Sequence, residues 1–553
     1  VEGSAGGPAL AFDGALTNRR VLLDELGRGG PPAGADGDRE LVLRVWERSG
    51  AACLDRLMGR FALVLHDPRR GNTYLVRDRF GHKPLHYAIR HDRLYFASEI
   101  KTLLSVLSPP LLDDRALIEW SLHGDLLPPR TLFRGIRSLP PGHLLEADMN
   151  GERPASRAYY EPASAVDPAL YAEHAGRSTA EILTLVEEAV EHAVLGHMDG
   201  RSGVGIMLSG GVDSTVIAAI AARRGEIPAY NFSVAGDPRL DERPMSREVA
   251  RVLGLPLESI VIDGETYRRE LARATYLYEH PLWHMQGVPI QLLARRARED
   301  GTTLLLSGVS VGPLLGAATD RYRWILPPPA LDRIPGGVYR VVRKAVYSAA
   351  GLPVANPGFT RALGVGLQLV DGGARSRIVA RCDEAYRFLE DPRERRIHIM
   401  RLSDHHLFLP RFYHQGDRLC MGESIEYCDA AVEARFMSLA LNLPTDVIFH
   451  DGTPKWILKE LATRYVPREI AFQKKVPLDV PVAQYFAPAF KRSLFEGGFL
   501  ASFLGLEWEV AGGPLMKARE TTPLLFQLVN IEVWGRLFLM QQSVEEVTDL
   551  LSR

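Results

Sequence analysis

Six consecutive residues, Ser209-Gly210-Gly211-Val212-Asp213-Ser214, carry the densest chemistry in the chain. They stand between an apolar run, Val204–Leu208, that reads as a buried strand and Thr215–Ala222, a good helix opening. Strand, glycine loop and helix in that order aim backbone N–H groups and a helix N-terminus at an anion. Paired glycines let the backbone approach it closely, and Ser209 and Ser214 add hydroxyl donors. Asp213 is the odd member, because a carboxylate repels phosphate unless a cation lies between them. Mg²⁺, which takes one or two protein carboxylates beside phosphate oxygens, resolves that conflict. The residues point to a nucleotide held by Ser209, Gly210, Gly211, Asp213 and Ser214, with Asp213 facing the metal. A strand-to-helix turn that merely needs glycine is the alternative. The loop lacks the Gly-Lys-Ser/Thr ending of a Walker loop.

The elements that position this loop change texture along the chain. Residues 8 to about 150 read as short strands and turns, among them Phe61–Leu65, Thr73–Arg77 and Arg93–Ala97, each bounded by Gly, Pro, Asn or Asp. A linker at 150–170 follows. A helix comes next, with Ile182, Leu183, Leu185, Val186, Ala189, Val190, Ala193 and Val194 on one face. Strands then alternate with helices: the loop strand, Ala229–Val234, Leu257–Ile262, a helix at about 288–299, and Thr303–Leu306. This alternation predicts an α/β fold, a doubly wound parallel sheet with helices on both faces. Ligands in such sheets sit beyond the carboxyl ends of the strands, where the Ser209 loop lies. Residues 323–376 are rich in Pro and Gly, and helical sequence resumes at about 383.

Composition excludes several classes. A formal net charge of −2 leaves no basic footprint for nucleic acid. The four cysteines, Cys53, Cys382, Cys420 and Cys428, form no CxxC pair and read as thiols of a reducing cytosol, so the expected localisation is cytoplasmic. No apolar run is long enough for a membrane span, and no signal peptide opens the chain. The first residue is Val1 rather than Met, which reads as a trimmed start.

The hexapeptide fits the SGGxDS loop of enzymes that attack ATP at its α-phosphate and release pyrophosphate. With it come Leu54–Ala62, Val76–Tyr87, Phe96–Lys101, Asp417-Arg418, Ser424-Ile425-Glu426 and Lys455–Lys459, in a shared order. Over nearly its whole length the chain resembles the asparagine synthetase family, which includes β-lactam synthetases and lasso-peptide cyclases. The resemblance implies a sheet-rich glutaminase-like domain of the α+β Ntn type over 1–160. It implies an ATP-pyrophosphatase-type synthetase domain, with a helical C-terminal part, over 170–553.

Departures from the family narrow that reading. The family's amino-terminal nucleophilic cysteine is absent; Val1 is no thiol, and Cys53 falls in a helix-like segment. The oxyanion-holding Asn-Gly-Glu reads Asp13-Gly14-Ala15, and a carboxylate repels a developing oxyanion. Asp38 matches the position that grips the substrate amine. The first domain thus reads as a degenerate glutaminase. The family's acidic loop, Gly-Glu-Gly-Ser-Asp-Glu, reads Gly308-Val309-Ser310-Val311-Gly312-Pro313. Gly312 stands at the metal-binding position and Val309 at the acidic or tyrosine position. Asp213 is the one matched carboxylate, with Asp241, Glu242 or Asp320 as substitutes by sequence proximity.

For the remaining chemistry the resemblance points to Lys474, with Lys475 as the alternative, for charge that develops in amide formation, and to Lys455 as a phosphate contact. Surface lysines are the competing reading. Glu426 matches the family's "VEAR" glutamate, and Glu423 is the candidate for deprotonating the amine. Trp283 and His284 fall where the family places substrate-pocket residues. His405, His406 and His414 lack the HExxH spacing of a metal site. The amphipathic stretch Tyr339–Val346 reads as a solvated helix or a peptide docking face.

The expected function is an ATP- and Mg²⁺-dependent ligase that adenylates a carboxylate and closes a lactam or macrolactam with an amine of its substrate. Holding the amine near the carboxylate raises its effective concentration. A lasso-peptide cyclase is the leading expectation, with a peptide substrate and a peptidase or leader-binding partner protein. The alternatives are a β-lactam synthetase-like cyclase, a glutamine-dependent asparagine synthetase lacking its first residues, and a non-catalytic scaffold.

Overall fold

The computed structural model describes residues 7–27, 37–148, 154–316, 373–476, 480–486, 492–505 and 522–552. Asp320, the stretch Tyr339–Val346 and most of the Pro/Gly-rich segment lie outside them.

Two antiparallel sheets make up the first half. One runs in the order β1 (Ala9–Leu16), β2 (Gly59–Asp67), β3 (Asn72–Arg77), β7 (His143–Asp148), β8 (Ala155–Ala158). The other is β5 (Arg93–Ala97), β4 (His86–Arg90), β6 (Ile136–Ser138). The period-2 alternation puts Leu63 and Leu65 into one core with Trp46 and Leu41 of the helix Gly37–Ser49, while Ala62 and Val64 face Leu85 and Leu145. Cys53 lies buried in a 3₁₀ turn, Gly50–Asp55.

The second half is built on a five-stranded parallel sheet. Its order is β11 (Leu257–Ile262), β10 (Ala229–Val234), β9 (Val204–Met207), β12 (Leu304–Ser307), β13 (Glu426–Asp429). The chain winds outward from β9 through β10 to β11, then returns to the other side of β9. The strand order therefore reverses between β9 and β12, where open α/β sheets place their crevice. Both strands end there in glycine-containing loops. Leu304 and Leu306 pack with Val216, Ile217 and Ile220 of the helix Val212–Ala221, while Leu305 joins Tyr230, Leu293 and Tyr427 on the other face.

The helix Thr179–Met198 buries Ile182, Val186, Val190 and Val194 against the first of these faces. Its start is fixed by a capping box, in which Glu181 N donates to Ser178 Oγ at 3.4 Å and Ser178 N to Glu181 Oε2 at 2.8 Å; such a cap stabilises a helix by about 1 kcal/mol. The halves meet through buried charge. Arg60 donates to Tyr427 O at 2.6 Å and to Glu426 Oε2 at 3.2 Å. The Lys83 ammonium lies 2.8 Å from Asp417.

Candidate active site

The loop after β9 is shaped by contacts that exclude other residues. Gly210 has φ +77°, and a Cβ there would stand 2.6 Å from the Met245 carbonyl carbon. A Cβ on Gly308, in the loop after β12, would stand 3.0 Å from Asp213 O. Glycine at these positions lets the two loops and the helix Arg243–Leu253 close on one another. Ser214 Oγ donates to Gly211 O at 3.0 Å and lies 3.1 Å from Ser209 Oγ, and Gly211 N donates to Ser209 Oγ at 3.3 Å. Asp213 stands in the first turn of the helix Val212–Ala221.

One Asp213 oxygen pairs with the Lys455 ammonium. The other, Oδ1, is buried without a partner. Lys455 holds φ +54° just before the helix Trp456–Ala462, a left-handed conformation that costs a non-glycine residue about 1 kcal/mol. That backbone turn accompanies the ion pair with Asp213.

Behind the loop a cleft of about 240 Å³ runs between the sheet and two helices, Gly287–Glu299 and Leu409–Met421. Ser209, Asp213, Ser214, Lys455 and Lys475 line its loop end. Lys475, not Lys474, faces it; Lys474 is exposed and lies outside the lining. The Lys475 stem passes 4.0 Å from where a Gly211 Cβ would be, and Gln473 Nε2 donates to Gly210 O at 3.0 Å, pinning this segment over the loop. Both lysines are exposed to solvent, and Lys475 is the one whose side chain borders the cleft. Lys475 reaches solvent through the mouth of the cleft, yet the surrounding walls, and after them the Lys455 charge, lower its pKa, while Asp213 and Glu242 oppose them.

Glu242 also lines the cleft and is 5% exposed. Burial raises its pKa to about 7, against the opposing charge of Lys475. Its neighbour Asp241 is committed elsewhere: it accepts from Ser233 Oγ and from both the backbone and the guanidinium of Arg243.

Glu423 does not reach the cleft. It precedes β13, at the end of the strand remote from the loop, and is held by Arg295, Arg273 and Gln291. Glu426, at the start of β13, is held by Arg60 and Arg201. Trp283 packs edge-on to Phe412, with centroids 4.6 Å apart, and burial lowers the His284 pKa to about 4. His405 and His406 are likewise buried and held neutral, and His414 is driven down in the same way. Among the described residues no group of His, Cys, Asp and Glu is disposed to hold a metal, the four cysteines are unpaired, and no helix is long and apolar enough to cross a membrane.

A carboxylate absent from the sequence reading is Asp429, at the carboxyl end of β13. It is fully buried and accepts from Ser310 N at 3.0 Å and from Ser310 Oγ. Its pKa is raised to about 7, first by burial, with Asp213 adding to the rise. Asp429 thus anchors the loop that has Gly312 where the family carries an acid. With both its oxygens on Ser310, the free Asp213 Oδ1 fits a divalent cation that draws its other ligands from phosphate and water.

In the first half, Asp13 lies 3.6 Å from the Lys83 ammonium and accepts from Ser98 Oγ at 3.2 Å. Asp38 accepts from Leu16 N at 3.0 Å and is ion-paired with Arg19. The carboxylate at the amine-gripping position is therefore neutralised from within the chain.

The asparagine synthase family model matches residues 185–497, and that of the glutamine amidotransferase domain matches residues 3–160. Asparagine synthetase (glutamine-hydrolyzing) 1 of Bacillus subtilis is 25% identical over 500 residues, covering 86% of this chain and 76% of its own length. Asparagine synthetase (glutamine-hydrolyzing) 3 of the same organism is 23% identical over 494 residues, covering 85% and 75%. Amidase chyE of Penicillium rubens is 28% identical over 286 residues, covering 49% of this chain and 41% of its own length.

Proposed function

Because the chain belongs to the asparagine synthetase family, whose members are ATP-dependent carbon–nitrogen ligases forming AMP and pyrophosphate, we propose that it adenylates a substrate carboxylate and closes a lactam or macrolactam without hydrolysing glutamine. The observation that carries this reading is the free Asp213 oxygen at a helix N-terminus, beside Lys455 and Lys475 in a cleft at the sheet's switch point.

ATP enters with its phosphates on the Ser209–Ser214 loop, where backbone N–H groups and the helix terminus face negative charge. Asp213, through its unpartnered Oδ1, would hold Mg²⁺, which would supply neutralisation of the pyrophosphate charge. A carboxylate oxygen attacks the α-phosphorus, the bond to the bridging oxygen breaks, and pyrophosphate leaves with that electron pair. Lys455 and Lys475 offset the charge that spreads over the phosphate oxygens. The substrate amine then attacks the acyl carbon, AMP leaves, and the amine's proton passes to a base. Glu242, buried at the cleft wall and titrating near neutrality, suits that proton.

An amine drawn from the substrate itself is supported by Asp13 and by the internal Arg19–Asp38 pair, which occupy the positions where a glutaminase needs an oxyanion donor and a free amine grip. Val309 on the cleft wall, in place of the tyrosine of the β-lactam branch, favours macrolactam closure of the lasso-peptide type. Such a substrate would arrive with a peptidase or leader-binding partner.

The test measures AMP and pyrophosphate with glutamine, with ammonium, and with neither. Glutamine should add nothing to the rate; stimulation by glutamine with release of glutamate contradicts the proposal.

A further inference from the structure

The far end of the cleft differs in chemistry from the loop end. Ile290 and Leu293 of one helix, Phe408 and Phe412 at the start of the other, and Tyr230 and Tyr427 from the sheet wall it. Phe408 and Phe412 stand 4.9 Å apart at 73°, and Trp283 backs Phe412. Here a large apolar group is sheltered from water, and aromatic edges and faces are available to a ring.

Three amide side chains interrupt the cleft wall: Asn231, on β10, whose Nδ2 donates to Leu208 O and whose Oδ1 is unpaired, and two glutamines. Gln286 and Gln415 line the cleft from opposite helices, at 7% and 1% exposure. Gln286 Nε2, a donor, and Gln415 Oε1, an acceptor, are both buried without a partner. Buried polar atoms are nearly always paired, so an unpaired donor and acceptor in one cleft call for an external partner that offers both functions. An amide group does so.

Charge is confined to the other end. Among the described residues that line the cleft, the cations are Lys455 and Lys475, both at the phosphate loop, and Lys455 is already paired with Asp213. His284, behind the aromatic wall, is held neutral. Arg411 stacks on Trp283 and Phe408 at 4.7 and 5.0 Å, donates to His123 O at 3.2 Å, and is not among the residues that line the cleft. A free amino acid such as aspartate brings a second carboxylate to the far end, where no cation receives it, and an unpaired buried charge is strongly disfavoured.

We infer that the acyl part of the substrate carries one negative charge, the reacting carboxylate, next to a large apolar or aromatic group and a neutral amide that Gln286 and Gln415 recognise. The inference rests on the adenylation reading for the fate of the carboxylate; the choice of binding partner is read separately. Equilibrium binding of N-acetyl-L-phenylalanine and of L-aspartate to the full chain, saturated with Mg²⁺ and α,β-methylene-ATP, tests it. N-acetyl-L-phenylalanine should bind at least 100-fold more tightly than L-aspartate. Gln415→Leu should weaken it about 10-fold, with binding of the ATP analogue reporting that the variant folds. Failure of N-acetyl-L-phenylalanine to bind, affinities within threefold of each other, or an unchanged affinity in Gln415→Leu overturns the inference. The expected preference without AMP formation from ATP and N-acetyl-L-phenylalanine supports the pocket and overturns adenylation instead.

Discussion

Replacing Glu242 by Gln removes a buried ionisable group from the cleft wall, and its effect has a defined pH dependence. The carboxyl titrates at 4.5 in the unfolded chain and at about 7 in the fold, because burial disfavours its charged form. Between these values the folded protein holds a proton that the unfolded chain has lost. Stability therefore falls as pH rises through this window, and the loss is complete above about pH 7. A rise from 4.5 to about 7, at about 1.36 kcal/mol per pH unit, amounts to about 3 kcal/mol. Glutamine does not ionise. Glu242→Gln should match the parent near pH 4.5 and exceed it by up to about 3 kcal/mol at pH 8.5, on the order of a few degrees in the unfolding midpoint. Thermal unfolding of both proteins across this range measures it. In the same pair, kcat/KM of the parent should lose activity below about pH 7, and Glu242→Gln should lose that acid limb together with roughly 100-fold in rate. A midpoint difference that does not change with pH refutes the buried-carboxylate argument. An acid limb that survives in the variant refutes the role as base.

Three further outcomes follow from the geometry. Lys455→Gly and Lys455→Ala should both lose most ATP turnover, but Gly, at ease at φ +54°, should leave the protein about 1 kcal/mol more stable than Ala in denaturant unfolding. Asp429→Ala strands Ser310 N and Oγ, which should cost about 1–3 kcal/mol and raise the KM for ATP more than it lowers kcat, while Asp429→Asn restores both contacts. Arg60→Met leaves Glu426 with Arg201 alone and Tyr427 O unpaired; it should destabilise by about 3 kcal/mol and separate the unfolding of the two halves in calorimetry.

The loop was legible because strand, glycine pair and helix are adjacent in sequence, and their local pattern matches what the fold does with them. The parallel strands β9 to β12 were legible for the same reason. The fifth strand, Glu426–Asp429, was not: four residues after a helix carry no periodicity of their own, and pairing with β12 makes them a strand. Missing β13 hid Asp429, whose link to Ser310 spans more than a hundred residues. It also misled the reading of Glu423. Sequence proximity to a site strand does not say which end of the strand is near the site, and Glu423 lies at the wrong one. Lys474 and Lys475 differ by one position, so which of them enters the cleft depends on the backbone path that Gln473 fixes on Gly210. In each case the missing information was a long-range contact.

The most direct measurement is carboxylate-dependent exchange of labelled pyrophosphate into ATP, comparing the parent with Asp213→Asn. The parent should exchange in the presence of a carboxylate substrate and Mg²⁺, yielding AMP in net turnover, and Asp213→Asn should fall by at least about 100-fold. Equal exchange in the two proteins, or turnover that yields ADP and phosphate, contradicts adenylation at this loop.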